Sequence, residues 1–105
     1  MSRKHRDYEK DLIEKLKDAE FAAEYLKSIL EDEPLSKDFE ERFLIGLRDV
    51  AKAHGVSLIS KDTKLNRQSL YKILSKDGNP ELSTLVALLQ SMGLRLSIEV
   101  LEKAS

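Results

Sequence analysis

The chain has 105 residues, of which 41% are hydrophobic and 35% are charged, with four Gly and two Pro. This size and composition predict one compact, mainly helical domain and argue against a disordered chain. The chain contains no Cys, which excludes a disulfide framework and every zinc or iron-sulfur site built on thiolates. No apolar run is long enough to span a bilayer and the start of the chain lacks the apolar stretch of a signal peptide, so we expect a cytoplasmic protein.

The net charge of −1 hides an uneven distribution along the chain. Residues 7–50 carry 14 acidic and 7 basic side chains, whereas residues 51–80 carry six basic and two acidic ones. Asymmetry of this kind concerns the partners of a protein rather than its fold. The near-neutral total therefore does not exclude a nucleic-acid partner for the basic segment.

Two amphipathic helices are predicted at the start of the chain. The first lies in "DYEKDLIEKLK" and places Leu12, Ile13 and Leu16 on one face. The second, "AEFAAEYLKSILED", follows the capping residue Asp18 and ends before Pro34. Its apolar stripe consists of Phe21, Ala22, Tyr25, Leu26, Ile29 and Leu30.

A third helix is predicted to follow. Ser36 or Asp38 offers an N-cap, the acidic side chains of the first turn suit the helix dipole, and Gly55 ends the helix. Its inner stripe consists of Phe39, Phe43, Leu44, Leu47, Val50 and Ala51. This pattern predicts a core helix.

Two short helices are predicted next, over about 57–63 and 67–75, separated by the turn "KLN". Asn66 is placed to cap the second of them. On a helical wheel Leu70, Ile73 and Leu74 share the side that we expect to be buried. The opposite side carries no acidic residue and consists of Arg67, Gln68, Tyr71, Lys72 and Ser75.

This polar side has the side chains that DNA recognition uses. Arg and Gln make paired hydrogen bonds to guanine and adenine edges in the major groove, whereas Lys, Tyr and Ser suit phosphates. Solubility alone also makes an exposed helix face polar. The neighbouring elements favour recognition, because a short helix and a turn before the segment and a supporting helix after it form a helix-turn-helix.

In the last part of the chain, the spacing of the apolar residues changes from helical to alternating. After the loop "KDGNP", the segment "ELSTLVALLQSM" predicts an apolar helix that Gly93 ends. In "LRLSIEVL", residues 94–101, apolar and polar residues alternate, which predicts a strand with one buried face. Because the sequence shows no second strand, we expect pairing with the same strand of a second copy or with an edge strand of another protein.

The run "VSLISKDTKLNRQSLYKILSKDGNPELSTLVALLQSMGLRLSI" resembles the XRE-type, lambda-repressor-like helix-turn-helix family. Together with "AEFAAEYLKSILED" and "RFLIGLRDVAKAHGVS" it resembles more closely the addiction-module antidote proteins, the antitoxins of toxin-antitoxin pairs, over about residues 18–100. The resemblance implies a mainly α fold: a lambda-repressor-like DNA-binding domain with an N-terminal helical extension. We expect the C-terminal β-strand to be used in dimerisation, because it has no partner strand in its own chain. We expect one domain, with N-terminal helices in 1–35, the helix-turn-helix core in 36–93 and its motif in 57–75.

The resemblance also implies sites and partners. The second motif helix enters the major groove, where we expect Arg67 and Gln68 to read bases. The full expected DNA-binding set is Asn66, Arg67, Gln68, Ser69, Tyr71, Lys72, Lys61 and Lys64. The expected dimer interface is Leu94, Leu96, Ile98 and Val100. The implied partners are double-stranded DNA with a near-palindromic operator, a second copy of the chain and a small basic toxin.

At three positions the chain differs from the usual pattern of the family. Leu58 stands where a Gln often helps to hold a phosphate, and Ser60 replaces the small residue, usually Ala, that lets the motif helices approach. Lys64 replaces a turn Gly, which costs on the order of 1 kcal/mol if the backbone there is left-handed.

The expected function is sequence-specific repression of transcription by a dimeric antitoxin that regulates its own operon. Two alternatives stay open: an interaction module that neutralises a toxin without specific DNA binding, and a phage-type regulator with no toxin partner. No nucleophile-base pattern, phosphate loop or metal-ligand spacing is present. We therefore expect no enzyme activity, cofactor, metal, membrane contact or small-molecule substrate. The acidic first half either enlarges the core or, with the last strand, contacts the toxin.

Overall fold

The computed structural model of the protein describes residues 3–32 and 34–102. The predicted N-terminal part, 1–35, includes positions 1, 2 and 33, which lie outside these described residues. The chain is mainly helical, as predicted. Its helices are α1 (Arg3–Lys15), α2 (Ala19–Leu30), α3 (Phe39–His54), α4 (Val56–Thr63), α5 (Arg67–Ile73) and α6 (Leu82–Ser91).

The first two helices are joined by a short capped turn. Leu16, just after α1, is buried, and its N–H donates to the carbonyl of Leu12 at 2.9 Å. Asp18 caps α2 as predicted, because its carboxylate accepts a hydrogen bond from the N–H of Glu20 at 3.0 Å. This cap satisfies one of the backbone donors that a helix start leaves free.

Helices α2 and α3 pack closely at Gly46. A Cβ at this position would lie 3.1 Å from the Cδ1 of Ile29 and 3.2 Å from the Cε2 of Tyr25. Neither predicted cap of α3 is made by a side chain: Asp38 makes no capping hydrogen bond, and the hydroxyl of Ser36 accepts from the Nη1 of Arg42 instead. The close packing of α3 on α2 therefore depends on the small residue Gly46, and no side-chain cap holds the start of α3.

One apolar core links all the helices. Leu47 and Val50 of α3 are buried with Ile59 of α4, and α4 packs on α5 and α6. The buried members of this core are Leu16, Ala22, Leu26, Leu47, Val50, Ala51, Ile59, Leu70, Leu74, Leu88, Leu89 and Met92. The motif helices α4 and α5 therefore share one apolar core with α1, α2 and α3 of the acidic first half.

The apolar stripes are narrower than the wheels predicted. Phe21 is 38% exposed and Leu30 is 42% exposed, although both belong to the predicted stripe of α2. On α3, Phe39 and Phe43 are half-buried, and Phe43 packs against the core. These side chains lie at the edges of their stripes, where a helix meets solvent as well as its neighbours.

The predicted C-terminal strand is wrong for the single chain. Residues 94–102 form neither helix nor strand, and the face predicted to be buried is open: Ile98 is 95% exposed and Val100 is 92% exposed. Leu94 alone packs against the core, and its N–H donates to the carbonyl of Leu89 at 2.8 Å. A strand exists only when a neighbouring backbone completes its hydrogen bonds, and the described part of the chain offers none.

Candidate nucleic-acid interface

The second motif helix, α5, is anchored at its start. The side-chain Oδ1 of Asn66 accepts a hydrogen bond from the N–H of Ser69 at 2.7 Å, so the predicted cap is confirmed. The helix ends at Ile73, two residues earlier than predicted. Ser75 lies beyond it, where its hydroxyl donates to the carbonyl of Lys72 at 2.8 Å, so the prediction that Ser75 belongs to the polar helix face was wrong.

The two sides of α5 divide as the helical wheel predicted. Leu70 and the following Leu74 are buried, and Ile73 is half-buried and packs against the core. The exposed side presents Arg67, Gln68, Tyr71 and Lys72. Ser69 is half-buried, and its backbone N–H is already used by the cap. An uninterrupted polar face without carboxylates is therefore open on this helix.

The turn between α4 and α5 is left-handed and is held by hydroxyl groups. Lys64 has φ 62 and ψ 17, a left-handed conformation that Gly adopts without steric strain. The hydroxyl of Ser60 donates to the carbonyl of Leu65. Thr63 donates from Oγ1 to the carbonyl of Ile59 at 2.7 Å and accepts from the N–H of Leu65 at 3.4 Å. These bonds offset strain of about 1 kcal/mol at the non-Gly position.

The guanidinium of Arg67 is held by the start of α4. Its Nη2 donates to the Oγ of Ser57 at 3.0 Å, and both side chains are exposed. An Arg side chain has five N–H donors, so this bond leaves four for a ligand. Ser57 was missed by the sequence analysis. A Ser ten residues before an Arg carries no signal until the turn brings the two helix starts together.

Leu58 lies beside this pair and cannot hold a phosphate. Its side chain is 56% exposed at the first turn of α4. An aliphatic side chain has no hydrogen-bond donor. Leu58 therefore cannot make the phosphate contact for which the sequence comparison suggested a Gln at this position. Any phosphate contact near the start of α4 depends on Ser57 and on backbone N–H groups.

The basic side chains around the motif are available to a ligand. Lys61 and Lys64 are exposed on α4 and in the turn, close in sequence to the exposed face of α5. Within the described ranges, the ion pairs at 4.0 Å or less do not include Lys61, Lys64, Arg67 or Lys72. Exposed cations without a carboxylate partner favour an anionic ligand such as the DNA backbone.

The loop after α5 is packed against the end of the helix. The N–H of Gly78 donates to the carbonyl of Ser75 at 2.9 Å. A Cβ on Gly78 would lie 1.8 Å from the carbonyl oxygen of Ile73, a distance that no side chain can occupy. The Gly in "GNP" is therefore required by a close approach of two backbone segments, and it fixes where α5 ends.

Titratable groups with displaced pKa values lie away from the motif, where α1, α2 and α3 meet. Burial raises the pKa of Asp49, with Glu9 acting in the same direction and Lys52 and Arg48 opposing it. Burial also raises the pKa of Tyr25, and the Asp49 carboxylate adds to that effect. Among the residues whose positions are described, no three His, Asp or Glu side chains are grouped to hold a metal ion.

No helix in the described ranges has the length and apolar character needed to cross a membrane. No solved structure is significantly similar to the chain. An uncharacterized protein of Haemophilus influenzae (strain ATCC 51907 / DSM 11121 / KW20 / Rd) is 34% identical over 93 residues, which cover 84% of this chain and 95% of that protein.

The family comparison agrees with the resemblance seen in the sequence. A family model described as "Probable addiction module antidote protein" matches residues 7–100. The match includes the helical extension, both motif helices and nearly all of the C-terminal segment. Because it covers well over half of the chain, the chain belongs to the addiction-module antidote family.

Proposed function

We propose that this antidote protein is an XRE-type repressor that binds its own operator through α5. The observation that carries the proposal is the open polar face of α5, with Arg67 and Gln68 in its first turn and no carboxylate on that side. Helix α5 is capped and packed on α4, so the face has a defined position relative to the rest of the chain. These are the properties of a recognition helix in the major groove.

The individual side chains take different roles in this proposal. Arg67 and Gln68 read base edges, because their paired donors and acceptors match guanine and adenine. Lys61, Lys64, Lys72 and Tyr71 hold phosphates. The Asn66 Oδ1 is occupied by the cap, so this side chain contacts DNA only through its amide N–H groups, beside Ser69 at the helix start.

Operator binding of this kind requires two copies of the chain. A two-fold dimer presents two α5 helices to half-sites about 34 Å apart, or a multiple of that distance, so the operator is near-palindromic. Membership of the antidote family implies a toxin partner. In our proposal that toxin is small and basic and meets the acidic α1–α3 part of the chain, where opposite charge speeds the encounter.

The test is operator binding by single variants. Arg67→Ala should weaken binding by about 1–3 kcal/mol and relax specificity at one base position. Lys72→Ala should weaken binding to every sequence and flatten its salt dependence. Lys37→Ala is the matched control, because Lys37 is an exposed cation outside the motif. Native-like operator binding by both motif variants would show that α5 does not enter the groove.

A second candidate function is supported by Leu58. An aliphatic residue in place of the phosphate clamp suits a protein that neutralises a toxin without specific DNA binding. Co-expression with the product of the adjacent small gene separates the two functions. A stable complex that has no affinity for the promoter of its own operon would establish this second function.

A further inference from the structure

The C-terminal segment, residues 94–102, carries an apolar surface that the helices leave uncovered. Leu96 is 44% exposed, Ile98 95%, Val100 92% and Leu101 69%. Of these residues, Leu96 lines a groove of about 540 Å³ between α2 and the segment, together with Leu26, Leu30 and Phe43 among others. An apolar surface of this kind, with unpaired backbone groups beside it, requires a protein partner.

We propose that the partner is a second copy of the chain, and that the two segments pair antiparallel with Ser97 on the two-fold axis. The proposal deepens the proposed function and rests on it in one respect, since a palindromic operator requires a two-fold dimer. The register and the residues that specify it are argued from the segment itself.

With a residue on the two-fold axis, opposite charges in the segment face each other in this register alone. With Ser97 on the axis, Arg95 faces the partner's Glu99, Leu96 faces the partner's Ile98, and Leu94 faces the partner's Val100. Opposite charges and apolar pairs directly across an antiparallel ladder each stabilise it. Because of the two-fold symmetry, the charge pair and each of the two apolar pairs occur twice.

Neighbouring registers lose this match. An axis at Ile98 sets Arg95 against the partner's Leu101, and an axis at Leu96 sets Glu99 against the partner's Gly93. An axis between two residues places apolar side chains opposite polar ones. The segment therefore specifies one symmetric pairing by its own sequence.

One hydrogen bond of the single chain selects the same arrangement. The N–H of Leu94 already donates to the carbonyl of Leu89 at 2.8 Å, so it must point away from a partner strand. In an antiparallel ladder alternate residues bond to the partner. If Arg95, Ser97 and Glu99 do so, Leu94 keeps its existing bond. The apolar pairs then occupy the positions where facing side chains approach most closely.

The same pairing covers the groove. Leu94 and Leu96 line it beside Leu26 and Phe43. The partner's Val100 and Ile98, which face these two leucines, lie over the groove and bury it. This burial matters because a two-stranded ribbon alone is marginally stable in water. Within one chain, a carboxylate oxygen of Glu99 lies 4.0 Å from the Nζ of Lys27, and both groups are exposed. This pair is weak, and the partner's Arg95 can replace it.

The experiment is a charge exchange, read by sedimentation equilibrium of the full chain without DNA. Arg95→Glu or Glu99→Arg alone places like charges opposite each other at two symmetric positions. Each single variant should raise the dimer Kd by about tenfold or more. The double variant R95E/E99R restores the opposite charges and should return the Kd close to its native value. Lys37→Glu is the control, since it is the same kind of charge reversal at an exposed position outside the segment and its groove.

Three results would overturn the pairing: a native chain that is monomeric, single variants that dimerise like the native chain, or a double variant that is not restored. Ile98→Asp adds a measurement independent of charge, and it should give monomers with unchanged helical circular dichroism. If the segment is covered only when the toxin is added, the toxin is its partner and the pairing is refuted. A dimer with the expected charge pattern that does not bind operator DNA would refute the proposed function and leave the pairing intact.

Discussion

Helix α5 and the C-terminal segment are both short and amphipathic, yet only α5 has regular secondary structure. Helix α5 buries Leu70, packs on α4 and is capped by Asn66. The C-terminal segment has one comparable contact, at Leu94, and leaves Ile98 and Val100 in solvent. Short elements acquire regular structure when both their apolar face and their backbone groups are satisfied. For α5 the same chain satisfies both, whereas for the segment a second copy of the chain does so in our proposal.

The largest expected effect on stability comes from the difference in burial between the end of α5 and the C-terminal segment. Leu74→Ala removes a side chain that is 1% exposed and should lower the free energy of unfolding by about 2–5 kcal/mol. Ile98→Ala, at a 95% exposed position, should leave the stability of the monomer unchanged. Urea denaturation, at a protein concentration below the dimer Kd, measures the free energy of unfolding of both variants. Similar losses for the two variants would mean that the segment is packed in the single chain.

The next effect tests the close approach that ends α5. Gly78→Ala places a methyl group against the carbonyl of Ile73 and should lower the free energy of unfolding by about 1–3 kcal/mol. Gly93→Ala is the matched control before the C-terminal segment. Gly93 has φ 78 but nothing within 4 Å of an added Cβ, so only backbone strain of about 1 kcal/mol is expected. Equal losses in thermal denaturation would argue against a steric role for Gly78.

A smaller effect concerns the cap of α5. Asn66→Ala removes the acceptor for the N–H of Ser69 and should cost about 0.5–2 kcal/mol. Asp38→Ala removes a residue at the corresponding position of α3 that makes no capping hydrogen bond. It should cost less, because only its charge near the helix dipole is lost. Hydrogen exchange of the α5 amides should rise in the first variant and stay native in the second.

The smallest effect depends on pH and lies in the helical body. Burial raises the pKa of Asp49 above its ordinary value, so the folded chain binds this proton more tightly than the unfolded chain. The resulting stability is present at low pH and is lost as the pH rises through the folded pKa. Asp49→Asn cannot ionise and should therefore be more stable than the native chain at neutral pH. The difference should vanish in acid, and the control is Asp11→Asn, the same substitution at an exposed position of α1.

Much of the motif could be predicted from the sequence because its determinants are local. The caps at Asp18 and Asn66 and the buried side of α5 follow from residues within one or two helical turns. The bonds from Ser57 to Arg67 and from Ser60 to Leu65 depend on how the turn folds back, which sequence spacing does not show. The predicted strand does not form in the single chain, and in our proposal its alternating pattern reflects a contact with a second copy.

If α5 binds DNA as proposed, the bond between Arg67 and Ser57 also bears on how tightly and how selectively DNA is recognised. Ordering a long side chain when two molecules meet costs about 0.5–1.5 kcal/mol. In this protein part of that ordering occurs on folding, because the guanidinium is already held 3.0 Å from a hydroxyl of α4. In the proposed complex, the Arg67 side chain therefore meets the groove already preorganised, and it has less freedom to move away from a mismatched base pair.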